Sequence, residues 1–180
     1  SAANSAVVFA FNGTTPTNGS NVCLVKDTGA TAQHFTLEKT TYVPPMSAGK
    51  RDMLNRAQGY SSGTGYLILV NRGGHNVGVF KGSKGNWSYA QYWSCVTGAP
   101  SSPTITGVYR TTGYKKMSLS TDSRARWCTQ INGGYFFHTI LASNAELGHS
   151  QSHGCIRLAV SNAQWIYNNI GRGTTVVIYN

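Results

Sequence analysis

Short apolar runs separated by turn residues dominate the pattern of hydrophobic and polar positions along this chain. Most runs are rich in β-branched and aromatic residues and are bounded by Gly, Asn, Ser or Pro, which is typical of β-strands joined by tight turns. The predicted strands cover residues 6–11, 21–27, 34–39, 66–71, 76–82, 88–96, 106–112 and 175–180. The pattern therefore predicts a mainly β protein.

Two segments have the composition or the spacing of helices instead. Residues 47–58 carry good helix formers, and residues 160–170 place four apolar side chains on one face at helical spacing. A Gly-Gly pair at 73–74 can supply the positive φ angles of a tight turn. It predicts that the runs 66–71 and 76–82 pair as a hairpin.

A stretch of small residues at 60–65, with the sequence Tyr-Ser-Ser-Gly-Thr-Gly, divides the chain into two parts. We interpret residues 1–59 as a β-rich N-terminal segment and residues 60–180 as a larger domain. A chain of 180 residues is long enough for one ordinary domain and a small additional module. No window approaches the length of an apolar membrane span, so none is predicted.

Composition adds a strong positive charge to this picture. Fifteen Lys and Arg residues oppose five Asp and Glu residues, which gives a net charge of +10 and favours an anionic partner. The basic residues are scattered and no nucleic-acid-binding motif accompanies them, which argues against nucleic acid. The anionic polymers of a bacterial cell wall would retain such a protein through diffuse electrostatics. The alternative is that the charge serves solubility alone.

The four cysteines, at positions 23, 95, 128 and 155, form no C-x-x-C pair. Their spacing argues against a structural zinc site and a thioredoxin-type redox motif. If Cys155 must remain a free thiol, one disulfide and one odd cysteine form the simplest arrangement in an oxidising compartment. We predict a disulfide between Cys95 and Cys128, with three unpaired buried thiols as the alternative.

Residues with catalytic chemistry concentrate in one segment of the chain. A cysteine ends the run Ser152-His153-Gly154-Cys155, and His138 follows an apolar aromatic run that predicts a buried strand. An ordinary thiol, with a pKa of about 8.5, is only a few per cent thiolate at neutral pH, so a cysteine nucleophile needs a neighbouring base. A histidine on a preceding strand can be that base when folding brings it close.

Other interpretations of these residues remain open. His153 is less suited as the base of Cys155, because an extended chain holds side chains two residues apart at roughly 6 to 7 Å. Isolated cysteines and histidines are more often buried structural residues than catalysts. His149, His153 and Cys155 could bind a metal, but no fourth ligand stands at the usual spacing. We therefore predict neither a metal nor a cofactor.

At these residues the sequence resembles the L,D-transpeptidases of the YkuD family. Their signature is a His, a gap, and then Ser/Thr-His-Gly-Cys followed by a hydrophobic residue. The resemblance extends over roughly residues 60–180. Thirteen residues separate His138 from Ser152, one fewer than is usual in the family, and Arg157 stands where many members have Asn. Papain-like and NlpC/P60-like peptidases place the nucleophile before the histidine, the reverse of the order here.

The resemblance implies a fold and a reaction. The fold would be a β-sandwich catalytic domain with one or two short helices. Cys155 would attack the bond between the third residue of a peptidoglycan stem, diaminopimelate or lysine, and D-Ala. D-Ala would leave, and the thioester would pass to an amine of another stem or to water. The protein would act as a monomer in the cell wall of a bacterium, outside the cell, with its export signal absent from this chain.

The resemblance also implies roles for individual residues. His138 would be the general base and then the acid, and Thr139 would orient its imidazole. The backbone N–H groups of His153, Gly154 and Cys155 would form an oxyanion hole.

Three further residues complete the predicted site. Ser152 and Tyr135 are expected to bind substrate. The Arg157 guanidinium is expected to reach a substrate carboxylate, because guanidinium binds carboxylates through two parallel hydrogen bonds.

The N-terminal segment carries a resemblance of its own. Residues 12–39 contain an Asn-Gly turn and the element Gln33-His34-Phe35, similar to one repeat of a ricin-type β-trefoil lectin. Such a lectin needs three repeats, and this chain has room for about one. A short β appendage without sugar binding is therefore favoured. For the whole chain, the alternative to an enzyme is a non-enzymatic module that binds the cell wall.

Overall fold

A computed structural model describes the backbone of residues 7–11 and 22–26 and the whole of residues 45–180. The chain forms two compact units, Ser1–Pro45 and Met46–Asn180. In the first unit, β1 (Val7–Phe11) pairs antiparallel with β2 (Val22–Lys26), which confirms two predicted strands. The lectin-like element and the strand predicted at 34–39 lie outside the described residues.

The second unit is mainly β, as predicted, and both predicted helices are present. Its elements are α1 (Ala48–Ala57), β3 (Tyr66–Asn71), β4 (Asn76–Ser83), β5 (Asn86–Ser94), β6 (Thr97–Gly98), β7 (Gly107–Arg110), β8 (Lys115–Ser118), β9 (Arg126–Asn132), β10 (Tyr135–Thr139), a 3-10 turn (Asn144–Glu146), β11 (Ser150–Ser152), β12 (Ile156–Leu158), α2 (Val160–Asn169) and β13 (Thr175–Tyr179). In the part of the chain that the structure describes, no helix is long and apolar enough to span a membrane.

The strands of the second unit form two main sheets and a small third one. The larger sheet has the order β5-β4-β3-β13-β7, and the second has the order β12-β10-β9-β8. Strands β6 and β11 pair in parallel beside them. The parallel pairs β3–β13 and β10–β12 join strands that are distant in sequence.

Alternation along the central strand β3 explains the layers of the unit. Ile68 and Val70 point to the main core, which also contains Phe137 of the second sheet and Ile166 of α2. The side chains between them point to the other face of the sheet, where α1 covers them. Because both faces are covered, β3 is a continuous apolar run. The two sheets thus share one core, in agreement with the predicted sandwich.

Helix α1 is an integral part of the larger unit. Its residues Met53 and Ala57 are buried against Leu67 of β3. The indole N–H of Trp87 donates a hydrogen bond to the carbonyl of Tyr60 at 2.9 Å, which fixes the chain just after the helix. The boundary predicted at residue 60 therefore falls inside the larger unit, because the small residues there connect α1 to β3.

The predicted disulfide between Cys95 and Cys128 is wrong, since both thiols are free and buried. Cys95 packs in the main core, where burial raises the pKa of its thiol to about 12. The Cys128 thiol instead donates to the carbonyl of Ala125 at 3.2 Å. Each thiol is held by its own surroundings, which spacing along the chain does not reveal.

The predicted hairpin of β3 and β4 is present, but its turn differs from the prediction. The residue with positive φ is His75, at 51°, and neither Gly73 nor Gly74 has one. The Asn71 side chain closes this turn by accepting a hydrogen bond from the Gly74 N–H at 2.9 Å.

Candidate active site

The pairing of β10 with β12 decides which side chains face the site. In this parallel pair Phe137 lies opposite Ile156, and His138 lies opposite Arg157. Phe137 and Ile156 are fully buried in the main core. Because side chains alternate along a strand, His138 and Arg157 face the opposite side of the sheet.

A cleft of about 430 Å³ opens on that opposite side. Five of the predicted site residues line it, namely His138, Ser152, His153, Cys155 and Arg157. Its other wall is a loop before β9 that includes Asp122 and Arg124, which were not predicted. Among the described residues, no three His, Cys, Asp or Glu side chains cluster as metal ligands would.

The His138 imidazole is buried and held in one orientation. Its Nδ1 lies 2.7 Å from the carbonyl oxygen of Thr139. A carbonyl can only accept a hydrogen bond, so Nδ1 carries the proton and Nε2 is left free to take one. Burial lowers the pKa of His138 to about 4, so the imidazole is neutral at physiological pH. A neutral imidazole with a free Nε2 is a competent general base.

Thr139 contacts the imidazole through its backbone carbonyl, while its hydroxyl has a different task. The hydroxyl accepts a hydrogen bond from the Arg126 N–H at 3.0 Å and donates one to the Arg124 carbonyl at 3.1 Å. Thr139 therefore fixes the imidazole and, at the same time, ties down the loop that forms the far wall of the cleft.

The Cys155 thiol is partly buried at the edge of the cleft. It lies 3.5 Å from the carbonyl oxygen of Gly134. Burial raises the pKa of the thiol, while the Phe136 backbone N–H and the Arg157 charge act in the opposite direction. No hydrogen bond joins this thiol to His138 in the described part of the chain, although both line the cleft. Such contacts are often long before substrate binds.

A tight turn precedes the cysteine, and the buried Ser152 closes it. The Ser152 hydroxyl accepts a hydrogen bond from the Gly154 N–H at 3.1 Å and donates one to the Cys155 carbonyl at 2.5 Å. The Gly154 N–H is thus bonded to the Ser152 hydroxyl in this structure, and its role as an oxyanion donor stays a prediction. The N–H groups of His153 and Cys155 remain candidates for that role. The His153 side chain itself is exposed.

Gly154 has a conformation and a neighbour that exclude larger residues. Its φ is +107°, and a Cβ placed there would lie 2.7 Å from the Tyr135 ring. Tyr135 is half-buried on β10 and packs against the main core. The ring therefore buttresses the turn that presents Cys155.

Two ion pairs border the cleft and differ in burial. The Arg157 guanidinium lies 3.1 Å from Glu146, and the two side chains are 12% and 13% exposed. Arg124 pairs with Asp122 at 2.7 Å, with an Arg124 side chain that is 65% exposed. Both guanidinium groups thus have a carboxylate partner, and that of Arg124 is the more accessible one in the cleft, whereas Arg157, predicted to reach a substrate carboxylate, is nearly buried.

Comparison with known proteins places this chain in a family. A model of the YkuD L,D-transpeptidase catalytic domain matches residues 65–178. The chain belongs to the YkuD family. L,D-transpeptidase 2 of Mycobacterium tuberculosis is 32% identical to this YkuD chain over 99 residues, which cover 46% of this chain and 24% of that protein. The matched stretch is thus about a quarter of that relative's length.

Solved structures share the fold of this YkuD domain. A fused Zn-dependent amidase/peptidase/peptidoglycan-binding domain-containing protein from Clostridium acetobutylicum has a TM-score of 0.59 and 29% identity, covering 87% of this chain and 75% of that chain. An L,D-transpeptidase solved in complex with imipenem has a TM-score of 0.56 and 21% identity, covering 64% of this chain and 59% of that chain. The second likeness concerns the fold alone.

We predict that Gly154→Ala impairs the site through both strain and contact. The positive φ costs about 1–3 kcal/mol for an alanine, and the new methyl group also displaces the Tyr135 ring. Iodoacetamide should therefore alkylate Cys155 more slowly in the variant. Gly148→Ala is the matched control, because Gly148 has a φ of +88° but open space around its Cβ position. Equal alkylation rates in both variants would show that contact with Tyr135 does not matter.

We also predict that Cys155 rests as a neutral thiol and not as the thiolate of a preformed ion pair. Burial favours the uncharged forms of Cys155 and His138, because it raises the pKa of the thiol and lowers that of the imidazole. The alkylation rate of Cys155 should therefore rise about tenfold per pH unit from acid through neutral pH. Alkylation that is quenched at fixed times and quantified by mass spectrometry measures this profile. An alkylation rate that stays constant from about pH 5 to about pH 8 would instead indicate a thiolate–imidazolium pair.

Proposed function

We propose that this chain is a peptidoglycan L,D-transpeptidase whose nucleophile is Cys155 and whose general base is His138. The observation that carries the proposal is the placement of both side chains in one cleft, with the imidazole proton held on Nδ1 by the Thr139 carbonyl. Membership of the YkuD family supports the same reaction.

In the first half of the reaction, His138 Nε2 takes the thiol proton as Cys155 Sγ attacks a peptide carbonyl. The bond attacked joins the third residue of a stem peptide to D-Ala. The tetrahedral intermediate then expels the amino group of D-Ala, which receives the proton from the imidazolium. A thioester on Cys155 and free D-Ala result. Because the thiol begins neutral, proton transfer accompanies the attack.

In the second half, an amine of another stem attacks the thioester and gives its proton to His138. The new amide forms, the C–S bond breaks, and the proton returns to the Cys155 sulfur. Water in place of the amine yields a carboxylate, which is L,D-carboxypeptidase activity. In both halves the negative oxygen would be bound by the N–H groups of Cys155 and His153. Loss of one such donor typically lowers the rate by about 10² to 10³.

The substrate carboxylate would bind to Arg124 in this scheme. The Arg124 side chain is exposed in the cleft, whereas Arg157 is nearly buried and bonded to Glu146. Stem peptides carry a carboxylate at D-Ala, and a second one when the third residue is diaminopimelate. A lysine at that position has none, so Arg124 would contribute to choosing between the two.

The place of action would be the cell wall, outside the cell of a bacterium. The net charge of +10 supports retention there by anionic polymers. We propose that the protein acts there as a monomer.

The central test replaces each catalytic group in turn. Cys155→Ala should abolish release of D-Ala from a tetrapeptide and formation of a covalent imipenem adduct, both measured by mass spectrometry. His138→Ala should lower acylation by about 10² to 10⁴. Cys128→Ala removes a second thiol of the same unit and should retain both activities.

Two outcomes would contradict this assignment. Unchanged D-Ala release by Cys155→Ala would exclude Cys155 as the nucleophile. If the unsubstituted protein released no D-Ala and formed no imipenem adduct but still bound isolated walls, a wall-binding module would be the better interpretation. Near-normal acylation by His138→Ala would move the base to His153 or His149.

Arg124→Gln should raise KM for a tetrapeptide substrate with little change in kcat, because a carboxylate contact away from the reacting bond binds the ground state and transition state alike. Steady-state kinetics with a defined tetrapeptide measure both constants. Arg126→Gln is the matched control, since this exposed arginine removes the same charge but does not line the cleft. A KM that rises equally in both variants would attribute the effect to net charge.

A further inference from the structure

Glu146 is bonded to more partners than any other carboxylate in the described part of the chain. It ends the 3-10 turn, and its carboxylate accepts hydrogen bonds from three successive backbone N–H groups, those of Leu141, Ala142 and Ser143, at 3.2, 2.5 and 3.3 Å. Its second oxygen lies 3.1 Å from the Arg157 guanidinium. None of these contacts takes part in the proposed acyl transfer.

These contacts join two segments that meet at the active site. The three N–H groups belong to the loop that follows His138 and β10, and Leu141 of this loop lines the cleft. Arg157 belongs to β12, two residues after the nucleophile. Glu146 therefore connects the chain after the base with the chain after the nucleophile.

The Arg157 guanidinium depends on this carboxylate for its position. Among the described residues, Glu146 is the one side chain that bonds to the Arg157 guanidinium. The Nε of Arg157 is buried without a partner. Arg157 lies opposite His138 in the register of β10 and β12. Arg157 therefore lines the same cleft as His138 and Cys155.

The charge of Arg157 acts on both catalytic groups. It lowers the pKa of the Cys155 thiol and also that of His138, and so favours thiolate beside neutral imidazole. Arg157 is paired with Glu146 on the turn. The other titratable or charged groups that line the cleft with it are His138 on β10, Asp122 and Arg124 on the opposite loop, and His153 and Cys155 on its own segment.

We propose that Glu146 is a positioning residue of this active site, which holds the Arg157 guanidinium beside Cys155 and His138 while it closes the loop that follows the base. The inference rests on the proposed function only in taking Cys155 as the reacting thiol. Iodoacetamide reports on that thiol without any peptide substrate.

Removal of the Glu146 charge can move the thiol pKa in two opposite directions, and the sign decides the case. If Arg157 stayed in place, loss of a nearby negative charge would lower the pKa of Cys155. If Arg157 leaves its place, as we propose, the thiol loses the positive charge that stabilises the thiolate and its pKa rises.

The experiment measures the pH profile of Cys155 alkylation in Glu146→Gln. Gln keeps one carbonyl oxygen for the loop N–H groups but offers no charge to Arg157. The profile should move to higher pH by about one unit, and Arg157→Gln should move it in the same direction. The double variant should show no further shift, because both substitutions remove the same effect. Arg157→Lys should shift the profile less than Arg157→Gln does, since lysine keeps the positive charge but lacks the planar guanidinium.

Asp122→Asn is the matched control, because it removes another carboxylate from the same cleft without releasing Arg157. Its profile should stay in place or move to lower pH. A shift to lower pH in Glu146→Gln, or loss of stability with no shift, would overturn the proposal.

If Glu146→Gln does not fold, Glu146→Asp replaces it. Its shorter carboxylate retreats from Arg157, so an upward shift is again expected, and an unchanged profile counts against the proposal. These outcomes are separate from the proposed function. Unchanged release of D-Ala by Cys155→Ala would exclude Cys155 as the nucleophile of the proposed reaction. The alkylation profile of Glu146→Gln would still be judged by the direction of its own shift.

Discussion

The parallel pairing of β10 with β12 is the constraint on which the rest of the site depends. This register places Phe137 and Ile156 in the main core and, through alternation, turns His138 and Arg157 towards the cleft. A slip of one residue would send the imidazole into the core and a phenylalanine into the cleft. Burial of the apolar pair therefore holds His138 and Arg157 in register, and the geometry of the site depends on the packing of the core behind it.

Burial determines the protonation states that this packing produces. A desolvated imidazole and a desolvated thiol both favour their uncharged forms, so the resting site holds a neutral pair. Arg157 is the charge that opposes this tendency at the thiol, and a nearly buried guanidinium requires a partner. Glu146 supplies it, and the capping of the following loop comes from the same carboxylate. The pairing of β10 with β12 thus affects the packing of the core, the protonation states of Cys155 and His138, and the structure of the loop that Glu146 caps.

Sequence reasoning succeeded where information is local. Strands β3 and β4 and helix α2 follow from residue type and period, and the Ser152-His153-Gly154-Cys155 run identifies its cleft because the spacing itself is specific. Sequence reasoning failed where the contacts of a side chain depend on how distant parts of the chain fold together. The thiols of Cys95 and Cys128 have separate environments that no spacing shows. The small residues at 60–65 resemble a boundary in the sequence, but the packing of α1 on β3 places both sides of that stretch in one compact unit.

The site itself shows the same division. The sequence identified Ser152 and Gly154, but not that the serine hydroxyl would accept a hydrogen bond from the glycine N–H. Glu146 left a usable local signal, since Ser143 and Glu146 have the spacing of a capping box and do form one. That signal predicts the turn alone. Its bond to Arg157 depends on where β12 lies, and this becomes visible only in three dimensions.

The neutral resting state also bears on how a free thiol persists in the surroundings proposed for this enzyme. Oxidation of cysteine follows thiolate character and exposure. Burial raises the pKa of Cys95 to about 12, that of Cys128 to about 11, and that of Cys155 as well, so each is held as thiol. Of these three described thiols, Cys155 alone lines the cleft, together with His138. We expect the Cys155 thiol to lose its proton only as it attacks the carbonyl of a bound substrate. Burial therefore slows oxidation of the resting thiol without preventing its reaction with substrate.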